Sequence, residues 1–216
     1  MLIQEGVFKI YKFALVISKF ILGLFGEITV INKDLLPKEG GYVVACTHIG
    51  WLEIVWLGVA ISPRSIHYMA KKELFSNKII GWFLTKLNAF PVNRKAPGTS
   101  SVKIPLNLLK QGEIIGIFPS GTRTLHNTSL KRGAVNIAFT GGVPLVPALY
   151  SGPATISVKD LFRRKKITVI FGKPIIFEDQ LDINSKKEYQ KEKLSELEDE
   201  YINLDKMLVT INDKNK

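Results

Sequence analysis

A histidine followed five positions later by a carboxylate is the first place where this chain could do chemistry. The segment Thr47-His48-Ile49-Gly50-Trp51-Leu52-Glu53 follows an apolar run that reads as a buried strand, and it leads into a helix. Within one continuous helix, positions i and i+5 diverge by about 140°. With His48 ahead of the helix, a carboxylate in its second turn can face the imidazole. A carboxylate on one ring nitrogen sets the tautomer and stabilises the imidazolium, leaving the other nitrogen to take a proton. The plainer arrangement has His48 as a helix cap and Glu53 in solvent. His67 falls in an expected strand and His126 in a polar loop, so both are read as structural.

Three further segments sit at expected element ends, where α/β proteins place their sites. Asn88-Ala89-Phe90-Pro91-Val92-Asn93-Arg94 ends on an arginine whose planar guanidinium suits bidentate phosphate contact. Ile117-Phe118-Pro119-Ser120-Gly121-Thr122-Arg123-Thr124 runs from a strand into a polar turn. Its backbone N–H groups, hydroxyls and Arg123 would make a phosphate nest. Lys131-Arg132-Gly133 follows and opens a helix, whose N-terminus adds another anion site. An ordinary surface arginine and a basic surface loop are the simpler readings of Arg94 and of the third segment. Val143-Pro144-Leu145-Val146-Pro147 holds no titrating side chain and alone reads as core.

The elements that would position these residues alternate between helix and strand, which points to an α/β domain. Short apolar runs predict strands at Tyr42–Thr47, Ile66–Ala70, Glu113–Phe118, Leu145–Tyr150 and Ile167–Phe171. Helices are expected at Phe8–Phe25, Trp51–Ala60, Asn77–Leu87, Ser100–Lys110, Gly133–Thr140 and Ser185–Leu208. In the first of these, Lys9, Lys12 and Lys19 share one narrow sector while Phe8, Phe13, Leu15, Phe20, Leu22 and Leu24 cover most of the rest. Burying three lysines in a bilayer would cost about 2.5–3.5 kcal/mol each. A helix lying in the interface avoids that cost, with lysines at the headgroups and aromatics beneath them. Packing on its own domain is the alternative for this helix. Near the C-terminus, Leu194, Leu197, Tyr201, Leu204, Leu208 and Ile211 recur at spacings of three and four. The run is too short for a coiled coil and predicts one amphipathic helix docked on the domain.

Composition narrows the classes. With 216 residues and 46% hydrophobic residues, the chain can bury a full core. Its single cysteine excludes a disulfide framework, and with three histidines a structural zinc site is not expected. No run of eighteen uncharged apolar residues occurs, which excludes a multi-pass membrane protein. No signal-peptide pattern is seen, so a cytoplasmic catalytic face is expected. The formal net charge is +11, unevenly spread. Residues 178–216 hold seven lysines and eleven acids, a net of −4, whereas residues 1–177 hold 23 basic and 8 acidic residues, a net of +15. Such a body is drawn to polyanions: phospholipid headgroups, nucleotide phosphates or nucleic acid.

Taken in order, the four segments resemble the glycerophospholipid acyltransferase family, in particular bacterial 1-acylglycerol-3-phosphate acyltransferases. The family blocks are His-x4-Asp, Phe-x-x-Arg (or Phe-x-x-x-Arg), Phe-Pro-Glu-Gly-Thr-Arg and Val-Pro-x-x-Pro. The chain offers His48 with Glu53, Phe90 to Arg94, Phe118-Pro119-Ser120-Gly121-Thr122-Arg123, and Val143 to Pro147. The resemblance covers about residues 40–175. Glu53 stands where the block has aspartate, one methylene longer, and Ser120 stands where it has the glutamate thought to help hold the acceptor.

The resemblance implies an α/β fold with a central, mostly parallel mixed sheet flanked by helices, and the pattern of residues 8–25 adds an N-terminal membrane-surface helix. The chain is expected to divide into an N-terminal interfacial helical segment (1–32), an acyltransferase α/β domain (33–177) and a C-terminal amphipathic helix and tail (178–216), and the resemblance bears on the middle one. The resemblance implies acyl transfer from acyl-CoA or acyl carrier protein to the sn-2 hydroxyl of lysophosphatidic acid, giving phosphatidic acid without a cofactor or metal. His48 is the implied base and Glu53 its orienter. Arg94, Arg123 and Lys131 hold the acceptor phosphate, with Ser120, Gly121 and Thr122 beside them. Surfaces around Val143–Tyr150 and Trp82–Phe90 would take the acyl chain, at the face of an anionic membrane. Rival readings are a non-catalytic lipid-binding relative and an acyltransferase for another lysolipid. A serine hydrolase built on Ser120 lacks the G-x-S-x-G elbow. Nucleic acid has only the charge in its favour and is not expected as a partner.

Overall fold

The computed structural model describes residues 23, 26–93, 100–119, 130, 132–155, 165–178 and 186–214. Among them a seven-stranded sheet forms the centre. In chain order its strands are β1 (Gly26–Ile31), β2 (Tyr42–Cys46), β3 (Ile66–Lys71), β4 (Ala89–Val92), β5 (Ile114–Ile117), β6 (Leu145–Ser151) and β7 (Lys165–Phe171). Across the sheet they run β1-β7-β6-β2-β5-β3-β4. All pairs are parallel except β6 with β7, so the sheet is mixed and mostly parallel. The helices are α1 (Leu52–Ile61), α2 (Lys78–Lys86), α3 (Ser100–Lys110), α4 (Gly133–Gly141) and α5 (Lys186–Lys214).

Every residue of β2 and β5 is buried, as expected for central parallel strands covered on both faces. Alternation then divides the core. Tyr42, Val44 and Cys46 of β2 pack on one face with Leu52, Trp56 and Leu57 of α1. Val43 and Ala45 pack on the other with Ala134, Val135 and Ala138 of α4 and Leu197, Tyr201 and Leu204 of α5. From β2 the chain goes through α1 to β3, and from β5 it reaches β6 through α4 on the opposite face. The carboxyl ends of β2 and β5 lie side by side between these connections, the usual place for a ligand in an open α/β sheet. At the far edge Arg64 donates to the carbonyls of Pro37, Gly40 and Gly112, tying three turns together.

Five strands and five helices stand where the sequence predicts them, within a few residues. Two strands were not anticipated. β1 lies inside the range expected to be an N-terminal helical segment, so the sheet begins at Gly26 rather than after residue 32. Its alternating exposure is a strand signal, short and overshadowed by the apolar run before it. β4 contains Pro91, which argues against a strand in the sequence; it is the last strand of the sheet, where a proline costs no ladder bond. The helix expected at Phe8–Phe25 lies outside the described residues, apart from Gly23.

The C-terminal seam docks as expected, on a helix that runs to Lys214 rather than Leu208. Leu197 and Leu204 are buried, and the Tyr201 hydroxyl donates to the Ala45 carbonyl of β2 at 2.9 Å. The tail is therefore part of the core. Leu197→Ala should cost about 2–5 kcal/mol in chemical denaturation. Val209→Ala, at an exposed position of the same helix, should change stability by no more than about 0.5 kcal/mol.

Candidate active site

β2 ends at Cys46, and the next two residues leave the sheet under tight control. The Thr47 backbone N–H donates to the Ala148 carbonyl at 3.0 Å, and its hydroxyl accepts from the Tyr150 N–H at 3.0 Å. His48 therefore starts from an anchored strand end. α1 begins at Leu52, so Glu53 lies in its first turn, one turn earlier than expected. His48 Nδ1 and Glu53 Oε1 are hydrogen-bonded to one another. The His48 side chain keeps 22% of its surface exposed and the Glu53 side chain none. Glu53 is thus not the solvated residue of the plainer arrangement.

A carboxylate without water must be compensated by the protein. The Gly50 N–H supplies part of this, donating to both Glu53 oxygens at 3.1 and 3.0 Å. The positive N-terminal end of α1 supplies more, since Glu53 stands in its first turn. Gly50 has to be glycine for packing reasons: a Cβ there would sit 2.0 Å from the Ala154 carbonyl oxygen. The Glu53 charge is felt by its neighbours. Burial, and then this charge, push the Cys46 thiol and the Tyr150 phenol far above their ordinary values. Tyr150 stays a donor, to the Pro153 carbonyl at 3.0 Å.

The other side of the imidazole is fixed by rings. Phe118, first residue of the third block, lies against His48 with centroids 5.0 Å apart. Tyr68 of β3 stacks behind Phe118, with centroids 6.3 Å apart and planes 13° from parallel. The Tyr68 hydroxyl donates to the Ile54 carbonyl of α1 at 2.6 Å. Gly116 makes room for this: a Cβ on it would stand 2.8 Å from the Tyr68 ring. Gly50, Phe118, Tyr68 and Gly116 were not singled out as site residues in the sequence. Phe118 was visible as a block residue, whereas the others reveal their role only through contacts.

Arg94, Ser120, Gly121, Thr122, Arg123 and Lys131 lie outside the described residues. Their described neighbours Asn93, after β4, and Pro119, after β5, lie at the same carboxyl edge as His48. His67 is structural as expected; it faces Glu113 at 3.3 Å near the start of β3, and this contact holds the Glu113 carboxyl below its usual range. The expected acyl surface at Val143–Tyr150 is corrected. Leu145, Val146, Ala148, Leu149 and Tyr150 are buried in the central strand β6, with no open face. Trp82–Phe90 is also not one surface, because Trp82 is exposed while Ala89 and Phe90 are buried.

A family model described as acyltransferase matches residues 27–151, which contain this site, strands β2 to β6 and all but the first residue of β1. The chain is 55% identical over 177 residues to the 1-acyl-sn-glycerol-3-phosphate acyltransferase of Bacillus subtilis, covering 82% of this chain and 88% of that protein. The chain belongs to the glycerophospholipid acyltransferase family. A second bacterial acyltransferase, the 1-acyl-sn-glycerol-3-phosphate enzyme of Streptococcus pneumoniae, is 37% identical over 71% of this chain and 57% of its own length. The crystal structure of the 1-acyl-sn-glycerophosphate acyltransferase of Thermotoga maritima superimposes with a TM-score of 0.59 at 21% identity, over 90% of this chain and 78% of that one, and shares the fold.

The environment of Cys46, the one cysteine of this acyltransferase, has a direct test. In the native protein at pH 8 a thiol reagent should find no reactive group, because the thiol is buried and held protonated. In denaturant, one thiol per chain should react. Reaction in the native protein at the denatured rate would mean that the strand end is open.

Proposed function

We propose that the protein transfers a fatty acyl group from an acyl thioester, carried by coenzyme A or acyl carrier protein, to the sn-2 hydroxyl of 1-acylglycerol-3-phosphate, forming phosphatidic acid. The observation that carries this reading is the His48–Glu53 pair: a half-buried imidazole bound through Nδ1 to a fully buried carboxylate. With Nδ1 so engaged, Nε2 is the nitrogen that takes the hydroxyl proton as the acceptor oxygen attacks the thioester carbonyl. Glu53 stabilises the imidazolium that results. The tetrahedral intermediate collapses by breaking the carbon–sulfur bond, and the proton passes to the departing thiolate. The thioester is already activated, so no covalent enzyme intermediate is needed.

Arg94, Arg123 and Lys131 hold the acceptor phosphate in this reading. Gly121 and Thr122 donate to the phosphate or to the developing oxyanion, and neutral Ser120 lines the acceptor position. What supports their place is the edge shared by β2, β4 and β5, from which their segments leave. Residues 8–25 lie in the cytoplasmic leaflet as a monotopic anchor, with Lys9, Lys12 and Lys19 at the headgroups. No helix among the described residues is long and apolar enough to cross a membrane.

Mass-spectrometric analysis with a labelled acyl donor and a panel of lysolipids tests the reaction. Labelled phosphatidic acid is expected; exclusive labelling of another lysolipid would change the acceptor, and free fatty acid alone would indicate a hydrolase. His48→Ala should lower turnover by about 10²–10⁴-fold with native folding. Near-normal turnover would remove His48 as the base. Glu53→Gln should cost less, because it keeps a partner for the imidazole but loses the charge. Glu53→Asp should fall below wild type, since the shorter side chain cannot meet both His48 and Gly50 from the same helix position.

Arg94→Lys and Arg123→Lys keep the charge but lose the two-pronged geometry. Each should raise the acceptor KM more than the donor KM in steady-state kinetics. A selective rise in the donor KM would move these residues to the thioester side.

A further inference from the structure

Helix α2 turns large apolar residues outward. Ile79 is 80% exposed and Trp82 64%, while Ile80, and Leu74 just ahead of the helix, are exposed as well. A surface helix normally points such residues at the core. Here other contacts determine which side faces inward. The Asn77 side-chain oxygen accepts from the Ile79 and Ile80 N–H groups at 3.0 and 3.1 Å, capping the first turn. Gly81 is seated on the preceding 3₁₀ turn so closely that a Cβ would stand 2.9 Å from the Phe75 carbonyl oxygen. Phe75 and Leu84 pack on the core. The outward face is therefore built into the fold. Lys71, Lys72 and Lys78 are exposed around it, and Lys86 stands 5.9 Å from the centre of the Trp82 ring.

The face also has a telling position. The chain enters α2 from the carboxyl end of β3, on the edge that carries His48, and packs in the same layer as α1. Trp51, three residues after His48 at the start of α1, is 52% exposed.

We propose that Trp51, Leu74, Ile79, Ile80 and Trp82 form a membrane-docking face, which rests the His48 edge of the domain on an anionic lipid leaflet. The inference deepens the proposed function, whose acceptor and product are bilayer lipids. Indole and aliphatic groups suit the boundary between headgroups and chains, and the lysine rim suits anionic headgroups. The net charge of +15 in residues 1–177 favours the same surface. An acidic protein would match the lysines but would meet a convex helix with little complementary area, whereas a fluid bilayer deforms around it. The anchor proposed at residues 8–25 would hold the protein at the surface; this second contact would orient the site toward its acceptor.

The test uses the full chain, vesicles of phosphatidylglycerol and phosphatidylcholine, and the double variant Ile79→Glu/Ile80→Glu, with Ile79→Ser/Ile80→Ser as a milder partner. Vesicle partition should fall about tenfold or more, since two apolar side chains no longer insert. Turnover of long-chain lysophosphatidate in vesicles should fall with it. Turnover of a short-chain, monomeric acceptor and the Tm should remain near wild type. Unchanged partition and vesicle turnover would overturn the proposal. So would an equal loss with the monomeric acceptor, a Tm lowered by several degrees in both variants (a segment of the chain itself covers the face), or loss only of a homodimer or of carrier-protein binding. A wild type inactive with both acceptors would fail the proposed reaction, while vesicle partition of the variants would still decide this face.

Discussion

Glu53 is a carboxylate with no solvent, and much of the site's architecture follows from keeping it there. Its charge is met by the imidazole of His48, by the Gly50 N–H on both oxygens, and by the first turn of α1. Each of these demands something of the chain. The imidazole has to leave β2 at one position, which the Thr47 bonds to β6 secure. The Gly50 N–H has to turn inward, and it can do so only without a side chain, because the Ala154 carbonyl fills that space. The helix has to begin one residue before Glu53. Removing one of these partners would leave a buried charge short of compensation, which is far costlier than losing a surface contact.

The sheet supplies the second constraint. β2 and β5 run side by side, so the residue after each strand emerges at the same edge. His48 and Phe118 meet there although seventy positions apart. Phe118 is backed by Tyr68 from β3, and Tyr68 is tied by its hydroxyl to α1, the helix that carries Glu53. The imidazole is thus held between a carboxylate and an aromatic stack that both refer back to α1. The general base proposed at His48 would need this kind of support, because a side chain free to rotate spends little time in a productive geometry.

Charge and apolar surface are also arranged around that edge. The acidic tail folds back as α5 over the opposite face from α1, where its apolar seam closes the core. The basic majority of the chain and the outward residues of α2 lie clear of that seam, and these are the surfaces proposed to meet lipid. An enzyme whose acceptor does not leave the bilayer would gain from an open edge facing it, and α1 and α2 pack together on one face of the sheet beside that edge.

The sequence by itself determined the order of elements, the family blocks, and the place of His48 between a strand end and a helix, with a carboxylate five positions on. Apolar runs, glycines and prolines are local signals, and the strands β2, β3, β5, β6 and β7 and all five helices were legible from them. β4 was hidden because Pro91 argues against a strand until the strand is known to lie at an edge. β1 was hidden behind the apolar stretch that precedes it. Only the tertiary structure decided that Glu53 is buried, that Val143–Tyr150 is closed core rather than an acyl surface, and that α2 faces outward. It also brought Tyr68 and Gly116 into the site's support. The physical reason is the same in each case. Burial and ring contacts depend on which strands become neighbours, and strand order is set by packing between distant parts of the chain.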